Sequence, residues 1–376
     1  MKTLSFFAFL LLLLIVSCQD PGTNTEAEAN PSETEEISDP RAKVPGDTLR
    51  HQGETNLKNV KQLTFGGDNA EAYFSFDSKD LVFQATNPAW GIECDQIFTM
   101  AADGTTDANM VSTGKGRTTC SYFMPGDSTL LYASTHLGDE KCPEVPARFG
   151  DKYVWPIYSD FDVFVADRQG QILTQLTTED GYDAEATVSP DGQKIVFTST
   201  RSGDLELWTM DIDGSNVQQV TDGLGYDGGA FFSPDSKKLV FRASRPQTEE
   251  DINTYKELLS NDVVQPTAME IYTCNVDGSD LQQVTNLGGA NWAPYYHPGG
   301  EHIIFCSNHH TAGKGRPVFN LFSIKEDGTE LKQLTYDTAF DSFPMFSPDG
   351  KKFVFASNRN NGGGRDTNVF IADWVE

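Results

Sequence analysis

The most constraining feature of this sequence is a segment of ten residues that occurs six times. Its clearest copies run from Val188 to Phe197, from Phe232 to Phe241 and from Phe346 to Phe355, and each contains Ser-Pro-Asp followed by Gly or Ser. Weaker copies occupy 74–83, 123–132 and 296–305. In each copy an apolar run enters a turn and a second apolar run leaves it, which is typical of a β-hairpin.

Each hairpin is followed by signals for two further strands. The third strand carries an aliphatic–aromatic pair, namely Ile97-Phe98, Val163-Phe164, Leu207-Trp208, Ile271-Tyr272, Leu321-Phe322 and Val369-Phe370. A turn follows, which is Asp-Gly in four copies, and a fourth strand then ends in Gln-Leu-Thr or Gln-Val-Thr in four copies. Four short antiparallel strands repeated six times predict an all-β, six-bladed β-propeller.

The two ends of the repeat region complement each other. The last copy stops after its third strand, at Val369–Asp373, whereas Val60–Thr64 precedes the first hairpin and has the pattern of a fourth strand. Pairing of this N-terminal strand with the last blade would complete six blades and leave no open sheet edge. We therefore expect one propeller domain over residues 57–376.

The N-terminus predicts export. Lys2 precedes an apolar run from Leu4 to Val16, which has the length of a signal-peptide core and is too short for a permanent membrane span. The sequence Ile15-Val16-Ser17-Cys18 resembles a bacterial lipobox, which predicts a signal peptide over residues 1–17 and acylation of Cys18. An ordinary signal peptide with a chance cysteine is the alternative.

The segment after Cys18 is rich in Glu, Asp, Pro, Thr and Asn as far as residue 56. Such a composition buries too little apolar surface to offset its ordering entropy, so we expect residues 18–56 to form a disordered acidic tether. The protein would then be lipid-anchored at the bacterial cell envelope, on a periplasmic or outer-membrane face. The formal net charge of −27 argues against nucleic acid or an anionic lipid surface as the main partner.

The repeat resembles a known family. The motif Gln-Leu-Thr, a spacer, and Phe-Ser-Pro-Asp-Gly-Lys-Lys followed by alternating apolar residues looks like the propeller repeat of TolB, and is similar to the propeller of prolyl oligopeptidase-type enzymes. The resemblance covers Val60 to Glu376. TolB carries an α/β domain before its propeller, and the tether here has no room for one. The resemblance implies an envelope propeller that binds another macromolecule, but the repeat specifies a fold rather than a function.

Two rings of polar residues are predicted on the top face, where the variable loops lie. The first ring stands at the start of each innermost strand: Asn69, Thr118, Asp183, Asp227, Asn291 and Asp341. The second follows each second strand: Asn87, His136, Arg201, Arg245, His309 and Arg359. Two residues before the first ring stand five glycines and Ala339. The rings predict either a polar funnel for a peptide or sugar, with Asp183, Asp227 and Asp341 as possible Ca²⁺ ligands, or structural acid–base pairs that fix the blades.

Two long insertions, Leu137–Asp160 and Pro246–Ala268, are also expected on top, and 249–259 has the pattern of a short amphipathic helix. Trp90, Tyr153, Trp155 and Trp292 would suit a protein or glycan partner, or would pack the insertions onto the propeller.

Cys94, Cys120 and Cys142 lie in or beside the top loops of the first two blades, and export permits a disulfide between two of them, although the sequence does not say which pair. Cys274 and Cys306 lie inside strands and are expected to be buried thiols.

Motifs for catalysis are missing, since no Gly-x-Ser-x-Gly elbow and no phosphate-binding loop occur. The leading hypothesis is a non-catalytic envelope lipoprotein whose top face binds a protein or peptide. A glycan-binding or metal-assisted glycan-cleaving propeller is the alternative, and a purely structural scaffold is a third possibility.

Overall fold

The computed structural model describes residues 39–376, except Ala147 and Ala339. The expected signal peptide, Cys18 and the first part of the tether therefore lie outside the described residues, as does Ala339 of the small-residue ring.

The described residues form six sheets of four antiparallel strands, arranged as the blades of a propeller. The N-terminal segment contains β1 (Lys43–Val44), β2 (Asp47–His51) and β3 (Leu57–Gln62). Blades 1 and 2 contain β4 (Asp68–Phe74), β5 (Asp80–Thr86), β6 (Gln96–Ala101), β7 (Asn109–Met110), β8 (Thr118–Phe123), β9 (Thr129–Ser134), the insertion strand β10 (Trp155–Pro156), β11 (Asp162–Asp167) and β12 (Ile172–Gln175).

Blades 3 and 4 contain β13 (Asp183–Val188), β14 (Lys194–Ser199), β15 (Glu206–Asp211), β16 (Gln218–Gln219), β17 (Asp227–Phe232), β18 (Lys238–Ser244), the insertion elements α1 (Glu249–Leu259) and β19 (Val263–Val264), β20 (Met269–Asn275) and β21 (Gln282–Gln283). Blades 5 and 6 contain β22 (Asn291–Tyr296), β23 (His302–Ser307), β24 (Asn320–Lys325), β25 (Lys332–Gln333), β26 (Asp341–Phe346), β27 (Lys352–Ser357) and β28 (Asn368–Trp374). The predicted fold class is confirmed.

The ring closes through the N-terminal strand, as predicted. β3 is the fourth strand of blade 6 and pairs antiparallel with β28, with Gln62 opposite Phe370. Beyond β3, the Leu63 N–H donates to the Val369 carbonyl at 2.8 Å. Because a propeller with three strands in one blade would expose a sheet edge, this pairing removes that edge.

The threonine of the Gln-Leu-Thr motif explains why the motif repeats. In each blade its hydroxyl oxygen, or that of Ser112 in blade 1, accepts the N–H of the aliphatic residue that starts the aliphatic–aromatic pair of the third strand, at 2.8–2.9 Å. The fourth strands are as short as two residues, so the side chain substitutes for ladder bonds that such a strand lacks. The motif is therefore structural.

The core of each blade contains an aromatic pair across the second and third strands. The pairs are Phe83–Phe98, Tyr132–Phe164, Phe197–Trp208, Phe241–Tyr272, Phe305–Phe322 and Phe355–Phe370. Facing residues of antiparallel strands contribute roughly 0.2–1 kcal/mol per pair beyond an alanine pair, and the second-strand members are fully buried.

The prediction of a disordered tether is wrong for residues 39–56. β1 and β2 form a hairpin, and Glu54 is buried beneath it. The Arg359 guanidinium of blade 6 donates from Nη2 to Glu54 Oε1 at 3.0 Å, and it also pairs with Asp341 at 3.0 Å. The composition of this segment suggested disorder because it has few large apolar residues, whereas the partner that holds Glu54 lies 305 residues away in the chain.

The insertion helix is confirmed as α1, and it starts with a capping box between Thr248 and Asp251. Within the part of the chain that the structure describes, no helix is long and apolar enough to cross a membrane.

The Thr221→Val variant tests the role of the motif. Its hydroxyl accepts the buried Leu207 N–H at 2.9 Å, and valine would leave that donor without a partner. We expect the free energy of unfolding in urea to fall by about 1–2 kcal/mol. The exposed Thr178→Val serves as the control and should change it by less than about 0.5 kcal/mol. Equal effects of the two variants would contradict the assignment.

Candidate functional site

The first predicted ring lies at the top of the innermost strands, and all six of its side chains are buried. Each residue stands opposite the end of the second strand of its own blade; Asp183, Asn291 and Asp341 face Ser199, Ser307 and Ser357. The ring therefore belongs to the interior of the blades.

In three blades an acid of the first ring pairs with an arginine of the second. Asp183 accepts from Arg201 at 2.8 Å, and Asp227 accepts from Arg245 Nη2 at 2.9 Å. Burial raises the pKa of Asp227 to about 6, against the opposing effect of Arg245. The third pair is Asp341 and Arg359, and each arginine also lies over an aromatic ring of its own blade at about 5 Å.

In blades 2 and 5 the second ring has a histidine at the position where blades 3, 4 and 6 have an arginine. His136 contacts the Ser134 hydroxyl at 2.9 Å and packs on Phe164, with 4.5 Å between ring centroids. His309 repeats this arrangement, at 4.6 Å from Phe322. Burial lowers the pKa of both histidines. The first-ring residues of the same two blades are Thr118 and Asn291, which carry no charge. Asn69 and Asn87 fill the two positions in blade 1, so charge is balanced blade by blade.

These contacts favour the structural interpretation of the two rings. The three aspartates are each bonded within their own blade, and the described residues contain no group of three or more His, Cys, Asp or Glu side chains that could hold a metal ion. A Ca²⁺ ion in the funnel therefore stays a prediction without a described set of ligands.

The small residues that stand two positions before the first ring are explained by local packing. Gly67, Gly116 and Gly225 have positive φ, and a Cβ at each would collide with the loop after the second strand of the same blade. A close approach of two top loops therefore selects glycine.

A third ring, which sequence analysis missed, lines the central channel. Two residues after each first-ring position the backbone has positive φ, at Glu71, Cys120, Glu185, Gly229, Ala293 and Phe343. The pairing register between the first and second strands shifts at the same place in all six blades. This shared bulge turns unlike side chains toward the axis. The constant spacing of two from the first ring is the signal that would have found it.

Glu71 and Cys120 are neighbours in this third ring. Burial raises the pKa of Glu71 to about 7, and the nearby Glu185 adds to the effect. Burial also raises the pKa of the Cys120 thiol well above its ordinary value. Because the thiolate is the reactive form of cysteine, this thiol is poorly suited to act as a nucleophile.

Glu185 and Arg242 form a buried ion pair beside them. Arg242 also donates to the Tyr226 hydroxyl at 2.6 Å, and the Gly229 N–H donates to Glu185 at 2.8 Å. Burial acts to raise the pKa of Glu185, but Arg242 together with the hydrogen bonds from Tyr226 and Thr198 outweighs burial and holds that pKa below its ordinary value. The pair is therefore fully ionised, and it joins blades 3 and 4.

Aromatic rings fill the channel below the third ring. Tyr73 of blade 1 packs on Tyr122 of blade 2 at 5.8 Å and on Phe231 of the opposite blade 4 at 5.3 Å. Phe231 packs in turn on Tyr295 of blade 5 at 5.1 Å. Rings from opposite blades meet at the axis, so a ligand of the third ring would have to approach from the top.

The two insertions join above the channel. β10 of the blade 2 insertion pairs with β19 of the blade 4 insertion. Trp155 of β10 lies 5.5 Å from the Arg242 guanidinium and 5.1 Å from the Trp292 ring. Trp155 and Trp292 therefore pack the insertions onto the propeller, while Trp90 and Tyr153 remain 39% and 52% exposed.

The cysteines resolve the open question of pairing. Cys94 and Cys142 form a disulfide that joins the top loop of blade 1 to the insertion of blade 2. Cys274 and Cys306 are buried thiols, as predicted.

The Glu71→Gln variant tests the environment of the channel. With a pKa near 7 in the folded protein and 4.5 as its ordinary value, Glu71 ionises more easily when the chain is unfolded. Its contribution to the free energy of unfolding should therefore decrease as pH rises from about 4.5 to 7, and glutamine cannot titrate. We expect wild type to lose about 1–3 kcal/mol relative to the variant over that interval in urea unfolding. A difference that is independent of pH would contradict this account.

Comparison with known proteins agrees with the fold. Residues 158–265 match the family model of the TolB beta propeller domain. No curated protein matches the sequence significantly.

Among solved structures, a TolB-type protein from Agrobacterium tumefaciens aligns with a TM-score of 0.53 and 17% identity, over 82% of this chain and 91% of that one. TolB from Acinetobacter baumannii aligns with a TM-score of 0.53 and 18% identity over 80% of this chain, which spans 64% of its length. Hydrazine synthase from Kuenenia stuttgartiensis aligns with a TM-score of 0.50 and 14% identity, over 71% of this chain and 38% of that one. At these identities the structural likeness establishes the fold alone, and with the match of the family model it identifies the chain as a β-propeller built from TolB-like repeats.

Proposed function

We propose that this protein is a non-catalytic, exported propeller that binds a protein partner through its top face at the bacterial cell envelope. The TolB-like propeller fold supports a protein partner in general. The apolar N-terminal run and the Ile-Val-Ser-Cys sequence ending at Cys18 support export and lipid anchoring.

One observation carries the proposal. Phe65 lies on the top loop that follows β3 of blade 6, and Leu137 and Tyr153 lie in the blade 2 insertion; the three side chains are 68%, 61% and 52% exposed. Exposed aromatic side chains are enriched among the residues that anchor protein partners, and exposed apolar surface beside them marks interaction sites. The two polar rings, by contrast, form bonds within and between the blades and offer few free groups to a ligand.

The chemistry of the channel supports a binding role over catalysis. Glu71 and the neutral Cys120 thiol lie above the aromatic cluster of Tyr73 and Phe231. Arg242 is engaged by Glu185, so its charge serves to join blades.

The experiment is affinity capture from envelope extract with the full-length chain immobilised. The test variant carries Phe65→Ser, Leu137→Ser and Tyr153→Ser. The control variant carries Leu173→Ser, Leu281→Ser and Leu331→Ser, whose side chains are 50%, 46% and 41% exposed on the outer strands and the turns that precede them. The two variants remove similar apolar surface from different faces.

We expect a protein that is captured by wild type and the control variant and is reduced at least tenfold with the test variant. Equal capture by both variants would place binding elsewhere. Capture of glycan without protein would replace the proposal with the glycan-binding alternative.

A further inference from the structure

A pocket of about 430 Å³ opens on the outer, upper side of blade 1. Five apolar side chains line it, namely Trp90, Ile92, Phe98, Ala108 and Met110, together with the polar Asp107 and Asn109. Trp90 and Met110 are 39% and 37% exposed. The volume lies in the range of sites that receive a small molecule or an anchoring side chain.

Blade 1 has this pocket because it lacks the cover that the other blades possess. In blades 2 to 6 a histidine or arginine lies on the aromatic residue of the third strand, as His136 does on Phe164. Blade 1 has Asn87 at that position, and its side chain instead accepts the Ala89 N–H. Trp90 packs on Phe98 at 5.2 Å in place of the basic residue and leaves part of its ring open.

The loop that carries Trp90 is fixed in place. Asn87 caps the short 3-10 turn Pro88–Trp90, and Gly91 ends it in the left-handed conformation, with φ of 75°. The disulfide from Cys94 to Cys142 ties the end of the loop to the neighbouring blade. A pocket that is already ordered costs little conformational entropy when a partner binds.

The charge around the pocket selects the kind of partner. Asp107 lines the pocket and Glu93 adjoins Ile92, and neither forms an ion pair within the described residues. The nearby cations are already engaged, because Arg117 pairs with Asp95 and Lys115 with Glu140. An apolar pocket with free carboxylates complements an apolar side chain flanked by basic residues.

We propose that the Trp90 pocket receives an aromatic or aliphatic side chain from a basic peptide segment of the protein partner. This inference rests on the proposed function, because it names the chemistry that the partner presents. It adds a contact on blade 1 to the exposed side chains of Phe65, Leu137 and Tyr153.

The test is fluorescence anisotropy with three labelled peptides and the full-length chain. The probe is Lys-Lys-Phe-Lys-Lys, and the matched peptides are Lys-Lys-Ser-Lys-Lys and Glu-Glu-Phe-Glu-Glu. We expect the probe to bind at least tenfold more tightly than either matched peptide. Equal binding of the two lysine peptides would reduce the effect to charge alone and overturn the proposal.

Two variants locate the site, and one serves as the control. Trp90→Ala removes the wall of the pocket, and Ala108→Phe fills the pocket without removing any packing. Both should weaken the probe at least tenfold, whereas Leu281→Ala, on the outer side of blade 4, should leave its affinity unchanged. Binding of the probe to both pocket variants with the affinity of wild type would overturn the inference.

The two proposals fail separately. If the envelope protein is still captured in a manner that depends on Phe65, Leu137 and Tyr153 while the probe ignores the pocket variants, the pocket inference is wrong and the proposed function stands. If the probe depends on the pocket and no protein is captured, the proposed function is wrong and so is the claim that the pocket serves that partner.

Discussion

The pairing of β3 with β28 is the constraint on which the rest of the structure depends. It converts six sequential repeats into a closed ring, because the last repeat supplies three strands and the N-terminal segment supplies the fourth. The same segment buries Glu54 against Arg359, whose side chain is also fully buried and paired with Asp341. Buried charges of this kind are tolerated only when every partner is present, so the segment before β3 is held as firmly as the strand itself.

Positions that repeat in every blade and positions that differ between blades have different roles. The positions that recur in all blades, such as the motif threonine and the two polar rings, form bonds inside a blade or to the preceding blade, as Asn291 does with the Met269 carbonyl. The positions that vary lie on the third ring, the two insertions and the top loop of blade 1. Because the bulge has the same backbone in every blade, it presents Glu71 in one blade and Phe343 in another without changing the fold. Binding specificity in such a propeller therefore resides in departures from the repeat.

The fold was predictable from sequence because hairpin turns and apolar alternation are local signals. The four strands of each blade and the closing strand follow from them, and α1 follows from its acidic first turn. The spacing of the repeat revealed the positions of the two polar rings but not their burial. The sequence is the same whether a polar residue beside the axis faces solvent or a serine of the next strand. Asp183 illustrates the case, because its partner Arg201 is 18 residues away.

Other features depend on contacts that sequence does not encode locally. The Cys94–Cys142 disulfide can be predicted only when the position of the blade 2 insertion is known. The raised pKa of Glu71 results from burial among the surrounding blades, which the local sequence does not show. The end of the tether was misplaced because the segment has few large apolar residues, and the residue that holds it in place, Arg359, is 305 residues from Glu54.

A double-mutant cycle on Glu54 and Arg359 tests most directly whether the N-terminal segment is an integral part of the last blade. The free energy of unfolding would be measured for Glu54→Ala, Arg359→Ala and the double variant. Each single change removes one member of a buried ion pair and should cost about 3–5 kcal/mol. The account predicts that the double variant loses at least about 2 kcal/mol less than the sum of the single losses. Small effects that add within about 0.5 kcal/mol would contradict it, because the segment would then contribute nothing to closure.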